Sequence, residues 1–296
     1  MKALFCSDLH LIGEKPIARL DTNWLEIQRK MLLEIVALAN FHNVDLYMVG
    51  DVFDTVRVSQ EVLNMTVETL KQCVNKVWVL IGNHCAPGHD PMAAMRVGSI
   101  GILCKVFNDA ESSPYCVANH FGRDHNPNGT LSETKVRLTH QLVFPDQASK
   151  PPTDKGKTAD ELLAEFPDSQ WIIAGDGHDA FHRIAPDGRH VVNLGCTIRH
   201  KASEIDYTPS VWLIDTDAEV VDRIPLDDDR ALVTREHLVE KAEKDSRIAA
   251  FLEVVKGSEA VKLDFMANLK GKLAQLSGAE LAALTAIVEK VQEESK

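Results

Sequence analysis

No two cysteines in this sequence are spaced C-x-x-C. The six present, Cys6, Cys73, Cys85, Cys104, Cys116 and Cys196, are scattered along 296 residues. Zinc-finger and thioredoxin-type readings therefore have no support, and a reducing, cytoplasmic setting is expected. Long apolar runs are also missing. None approaches the ~20 residues needed to span a bilayer, so no membrane association is expected. The opening MKALFCSDLH puts Asp8 and His10 where a secretion signal would still be apolar. Excess positive charge is absent too, with 44 acidic residues against 32 basic ones and a net charge of -12. That excludes a broad basic surface gripping nucleic acid by charge alone. It leaves room for a cleft where metal ions supply the positive charge. No Gly-x-x-x-x-Gly-Lys-[Ser/Thr] loop occurs, so an ATP-driven step would need another chain.

What is present is ordinary for a globular chain. Hydrophobic residues make up 45%, enough at this length for a large buried core. Short apolar runs predict strands at Ala3–Cys6, Leu46–Val49, Val77–Ile81, Val136–Leu138 and Trp171–Ala174. Three more follow at Val191–Leu194, Val211–Ile214 and Val220–Ile224. Helices are expected near Trp24–Ala39, Gln60–Gln72 and Ala159–Phe166. The last carries a capping box, Thr158 with Glu161 three residues on. Alternating strands and helices predict an α/β protein. The closely spaced final strands predict an antiparallel portion and therefore mixed sheets. Ala118–Lys135 and Gln147–Lys157 read as loops. From Leu226 the pattern turns wholly helical, with a second capping box at Ser277-x-x-Glu280. The expected division is residues 1–225 as one domain and 226–296 as a helical appendage.

The informative feature is where the polar residues sit. Five apolar runs each end abruptly in metal-binding residue types. Leu4–Cys6 leads to Asp8 and His10. Tyr47–Val49 leads to Gly50, Asp51 and Asp54. Val79–Ile81 leads to Gly82, Asn83 and His84. Val136–Leu138 leads to His140, and Ile172–Ala174 leads to Asp176 and His178. Ligands of open α/β sheets bind at the carboxyl ends of strands. Five such ends side by side would bring these oxygen and nitrogen donors to one place. Each short motif alone has a bland reading as a turn. The set, in this order, does not.

Together Asp8-x-His10, Gly50-Asp51-x-x-Asp54, Gly82-Asn83-His84, His140 and Gly175-Asp176-x-His178 resemble the calcineurin-like metallophosphoesterases. Within them the chain is most similar to the Mre11/SbcD nuclease branch and its phage-type relatives, over about residues 1–225. Asn193–Arg199 and Pro209–Leu213 resemble segments that follow the last metal motif in that branch. The resemblance implies a four-layer α/β/β/α sandwich of two mixed β-sheets. It implies two divalent metal ions, Asp8, His10 and His178 holding the first and Asn83, His140 and Asp176 the second, with Asp51 bridging. It implies His84 as general acid or transition-state stabiliser, acting on a phosphodiester attacked by a metal-bridging hydroxide. The activity implied is that of a DNA nuclease, with a separate ATPase subunit and a homodimer as its partners.

Three positions depart from the family pattern. Asp176 replaces a histidine, which hardens the ligand set and favours Mn²⁺, or Fe²⁺, over Zn²⁺. Cys85 follows His84 where an acidic residue is common. Asp54 stands where nuclease relatives often carry a histidine that contacts substrate phosphate. Asp54 and Arg199 are therefore the expected substrate contacts, Arg199 from the basic cluster Arg199-His200-Lys201. His182, four residues beyond His178, is the other histidine of interest. The acidic balance and Asp54 favour an alternative activity, a phosphodiesterase or phosphatase on small nucleotides or phosphoesters. A scaffold that has lost catalysis is the reading from outside enzymology, and the near-complete ligand set argues against it.

Overall fold

Strand β1 (Lys2–Cys6) starts the first sheet and lies parallel to β2 (Asp45–Val49), with helix α1 (Trp24–His42) as the crossover. Asn23 caps α1 through its side chain, and Asn43 ends it in the left-handed conformation. Helix α2 (Gln60–Leu70) leads to β3 (Val77–Leu80). Helices α3 (Pro91–Val97) and α4 (Ile100–Val106) then lead to the two-residue β4 (Asn108–Asp109). The second sheet begins with β5 (Val117–Asn119) and β6 (Val136–His140). A small separate pair follows, β7 (Val143–Phe144) with β8 (Lys157–Thr158), before helix α5 (Ala159–Glu165), whose Thr158–Glu161 capping box is present. Then come β9 (Trp171–Gly175), β10 (Phe181–Ile184), β11 (His190–Asn193), β12 (Ser210–Asp215) and β13 (Val220–Pro225). This computed structural model describes residues 1–121, 135–227 and 232–256.

The six-stranded sheet has the order β13-β12-β1-β2-β3-β4 and the five-stranded sheet the order β10-β11-β9-β6-β5. Both are mixed. β12 runs antiparallel to β1 and β13, and β10 antiparallel to β11, while the remaining pairs are parallel. The alternation of side chains along each strand divides the core into layers. Leu4, Cys6, Leu46 and Met48 face outward onto Leu32, Ile35 and Met65 of α1 and α2. Ala3, Phe5, Tyr47 and Val49 face inward onto Leu138, Trp171, Ile173 and Val192 of the other sheet. Ile172 and Ala174 cover Leu162, Leu163 and Phe166. The result is the α/β/β/α sandwich expected from the sequence.

The chain divides into two compact units, Met1–Thr234 and Arg235–Lys296. Leu232 and Thr234 are tied to the first unit by Leu20 N–H···O=C Leu232 and Thr234 N–H···O=C Ala18, 2.9 and 2.8 Å. Of the second unit, helix α6 (Glu236–Lys256) is described. The Ser277-x-x-Glu280 capping box and most of the expected Ala118–Lys135 loop lie outside the described residues. Among the described residues no helix is long and apolar enough to cross a membrane.

Candidate metal centre

The carboxyl ends of β1, β2, β3, β6 and β9 meet at one edge of the sandwich. Their loops are laced together by backbone hydrogen bonds. Asp8 N–H donates to Gly50 O (3.3 Å), His10 N–H to Asp51 O (2.9 Å) and Leu11 N–H to Val52 O (2.9 Å). The Ser7 hydroxyl bonds Val49 O at 2.8 Å and also contacts the Asp8 carboxylate. Asp8, His10, Asp51 and Asp176 are held with φ of 52°, 45°, 44° and 79°. Such angles are uncommon outside glycine and persist where the surroundings impose them. The glycines beside them make room. A Cβ on Gly50, itself at φ 90°, would fall 1.9 Å from His140 Nδ1, and one on Gly82 would fall 2.1 Å from Asp51 Oδ1. The Gly-Asp and Gly-Asn pairs read in the sequence are thus dictated by close approach.

Two clusters of donors result. In the first, His10 Nε2 and His178 Nε2 lie 3.3 Å apart, and Asp8 Oδ1 lies 3.7 and 3.9 Å from them. Both imidazoles are held from behind, His10 Nδ1 by Asp54 at 3.0 Å and His178 Nδ1 by Glu204 at 2.6 Å. With protons on Nδ1 and Nε2 deprotonated, two nitrogen lone pairs would face each other and a carboxylate oxygen. Asp8 Oδ1 is buried and has no hydrogen-bond partner. Three converging lone pairs are the arrangement a cation requires, and the carboxylates behind the histidines fix the ligating tautomer.

In the second cluster His140 Nε2 faces Asn83 Oδ1 at 3.1 Å, Asp51 Oδ2 at 3.2 Å and Asp176 Oδ1 at 3.9 Å. His140 is fully buried, and its Nδ1–H donates to Val49 O at 2.9 Å. Asp51 lies within ligand reach of Asp8 and His140 on one side and of His10 and His84 on the other. That placement fits a bridge. The structure therefore brings together all seven residues expected to bind metal, as two adjoining donor sets that fit two divalent ions.

Burial opposes charge here, and the neighbours decide the outcome. Burial disfavours the Asp8 carboxylate, yet the adjacent His10 and the nearby His140 hold its pKa down to about 2. Against the same penalty, Asp54 and Asp8 raise His10 to about 9, and Asp51 raises His140 to about 10. Burial raises Asp176. Opposed by burial, the hydrogen bond with His178 lowers Glu204 to about 2. Protons thus occupy histidines that a metal would claim.

His84 stands at the solvent edge, with its side chain 43% exposed. Its N–H donates to Asp51 Oδ1 at 3.0 Å, and its ring packs edge-on to His10 with centroids 4.7 Å apart. Its Nδ1 lies 3.0 Å from Asp54 O and 3.2 Å from Asp54 Oδ1. Asp54 therefore holds one carboxylate oxygen between His10 and His84, while its side chain stays 35% exposed. Arg199 is fully buried, with its guanidinium donating to Ile205 O at 2.8 Å, and serves the scaffold. His182 faces His190 at 3.0 Å and takes no part in the centre. Cys6, Cys85 and Cys196 are buried thiols whose pKa burial raises.

Sequence reasoning missed Glu204, which also accepts from the N–H groups of His200 and Lys201. It missed Ser7, though that residue lies beside Asp8. Burial, aided by His10, lowers the pKa of His200 to about 3, so the expected basic cluster contributes a neutral imidazole.

Two facing mixed sheets with paired donor sets at their strand ends define a metal-dependent phosphoesterase. Residues 1–207 match the calcineurin-like phosphoesterase family, and the chain belongs to it. Among solved structures, a dimetal phosphatase from Danio rerio is similar at 12% identity, over 76% of this chain and 96% of that one, with a TM-score of 0.48. The Thermus thermophilus protein TT1561 is similar at 10% identity, over 76% and 98%, with a TM-score of 0.45. No curated protein matches the chain.

Proposed function

We propose that this enzyme hydrolyses phosphodiesters using two divalent ions, with DNA as its leading substrate. The observation that carries the hydrolase reading is His84, an exposed imidazole beside two donor sets and paired with Asp54. Asp8, His10 and His178 would hold one ion, Asn83, His140 and Asp176 the other, and Asp51 both. When bound, the ions supply Lewis-acid polarisation of the phosphoryl group and activation of water. The chain's own residues do the rest. Asp54 orients His84 through Nδ1 and raises its pKa, so Nε2 is the ring atom left to deliver a proton to the leaving oxygen. Four of the seven ligand side chains offer oxygen and none offers sulfur, which favours Mn²⁺ or Fe²⁺ over Zn²⁺.

DNA rests on the motif resemblance to the nuclease branch, and an ATPase partner and a homodimer belong to the same reading. A second reading, small nucleotides or phosphoesters, is favoured by the burial of Arg199 and the net charge of -12. One screen separates them. Metal-free protein is reloaded with Mn²⁺, Fe²⁺ or Zn²⁺ and offered linear DNA, hairpin DNA and bis-p-nitrophenyl phosphate. DNA cleavage is expected, strongest with Mn²⁺. Turnover of the small ester alone would sink the nuclease reading, and greater activity with Zn²⁺ would sink the metal assignment.

A further inference from the structure

Beside the second donor set stands an aromatic ring that the hydrolytic machinery does not use. Phe121 is partly exposed, although phenylalanine gains by burial. Its centroid is 6.3 Å from that of His140, edge to face, and 5.2 Å from that of the exposed His89. Its position is fixed through a single residue of the loop that carries Asn83 and His84. The Ile81 N–H donates to His120 Nδ1 at 3.1 Å, and Ile81 O accepts from the Phe121 N–H at 3.0 Å. His120 is itself buried, with Nε2 3.2 Å from Asp109 Oδ1. The ring is thus anchored to the same backbone that presents the metal-facing amide and the proton donor. A rigid aromatic face presents area at little entropic cost and stacks on any planar ring.

We propose that Phe121, flanked by His89, is a specificity platform that stacks an aromatic substituent of the phosphoester, such as a nucleobase. This rests on the phosphoesterase reading above, because the phosphoryl group must sit at the donor sets for its substituent to reach the ring. Phe121 acts on affinity and selectivity and takes no part in proton or metal chemistry.

The test is calorimetric titration of the metal-loaded protein with methyl phosphate, phenyl phosphate and thymidylate. The aromatic esters should bind about tenfold more tightly than methyl phosphate. Phe121→Leu, which keeps apolar volume, and Phe121→Ala should bring the three affinities close together with metal content unchanged. Phe121→Trp should restore the preference. Tighter binding of thymidylate than of phenyl phosphate would assign a nucleobase, and the reverse a simple aryl ester; either supports the platform. Equal affinities in the wild type, or a preference that survives Phe121→Leu, would overturn it while leaving the phosphoesterase reading intact. Binding of none of the three would overturn both.

Discussion

Glu204 Oε1 and His178 Nδ1 stand 2.6 Å apart, and this contact aims His178 Nε2 at Asp8 and His10. The second carboxylate oxygen of Glu204 takes the N–H groups of His200 and Lys201. One buried glutamate therefore fixes both a ligand and the loop behind it.

Glu204→Gln should weaken metal binding at the first donor set by about tenfold or more, as loss of partners behind ligating histidines does elsewhere. Competition against a chelating indicator measures it. Unchanged affinity would mean that Glu204 only supports the loop.

His84→Ala should leave both metals bound and lower kcat by about a hundredfold or more, the usual contribution of a general acid. Asp54→Asn should lower it less and change its pH dependence. Asp54 raises the pKa of His84, so without it the alkaline limb of the rate profile should move to lower pH. A profile that does not move would remove Asp54 from the proton donor.

Asp51→Ala should lose metal, since Asp51 faces both donor sets. Elemental analysis of the purified variant reads this directly. Two retained metals with full activity would show that the site has been assigned wrongly.

Metal-free protein should lose stability as pH rises. His10 and His140 titrate at about 9 and about 10, against an ordinary 6.5. The folded state binds those protons more tightly than the unfolded chain does. Their contribution is complete below pH 6.5 and is lost as pH climbs through 9 to 10. The melting temperature of chelated protein should fall across that window. Metal-loaded protein should not follow, because the ions take the place of the protons.

The sandwich was legible in the sequence because most of its longer strands are buried on both faces and read as apolar runs, β13 at the sheet edge being the exposed exception. All eight strands expected from the sequence occur. The two- and three-residue strands β4, β5, β7 and β8 were not legible, since so few residues carry no period. Helices α3 and α4 are seven residues each. Asp90 caps α3 ahead of Pro91, its carboxylate accepting from the Met92 N–H at 2.8 Å, a start not picked out from the sequence. At the site, residue types at strand ends were readable, but the directions of side chains were not. Asp54 bridges His10 and His84, and Arg199 is buried and donates to Ile205 O, neither of which the sequence could show. Glu204 lies 26 residues beyond His178, a separation with no local periodicity to reveal it.

The donors come from both halves of the sandwich. Asp8, Asp51 and Asn83 follow strands of the six-stranded sheet, and His140, Asp176 and His178 belong to the five-stranded one. His140 also donates across the gap to Val49. A pair of ions held there is a rivet through two plates as well as a reagent. Ions bound by these residues would tie the two sheets together at that edge. Stripping the ions should loosen that seam before it loosens either sheet, so the catalytic state and the mechanical state of the sandwich are one variable.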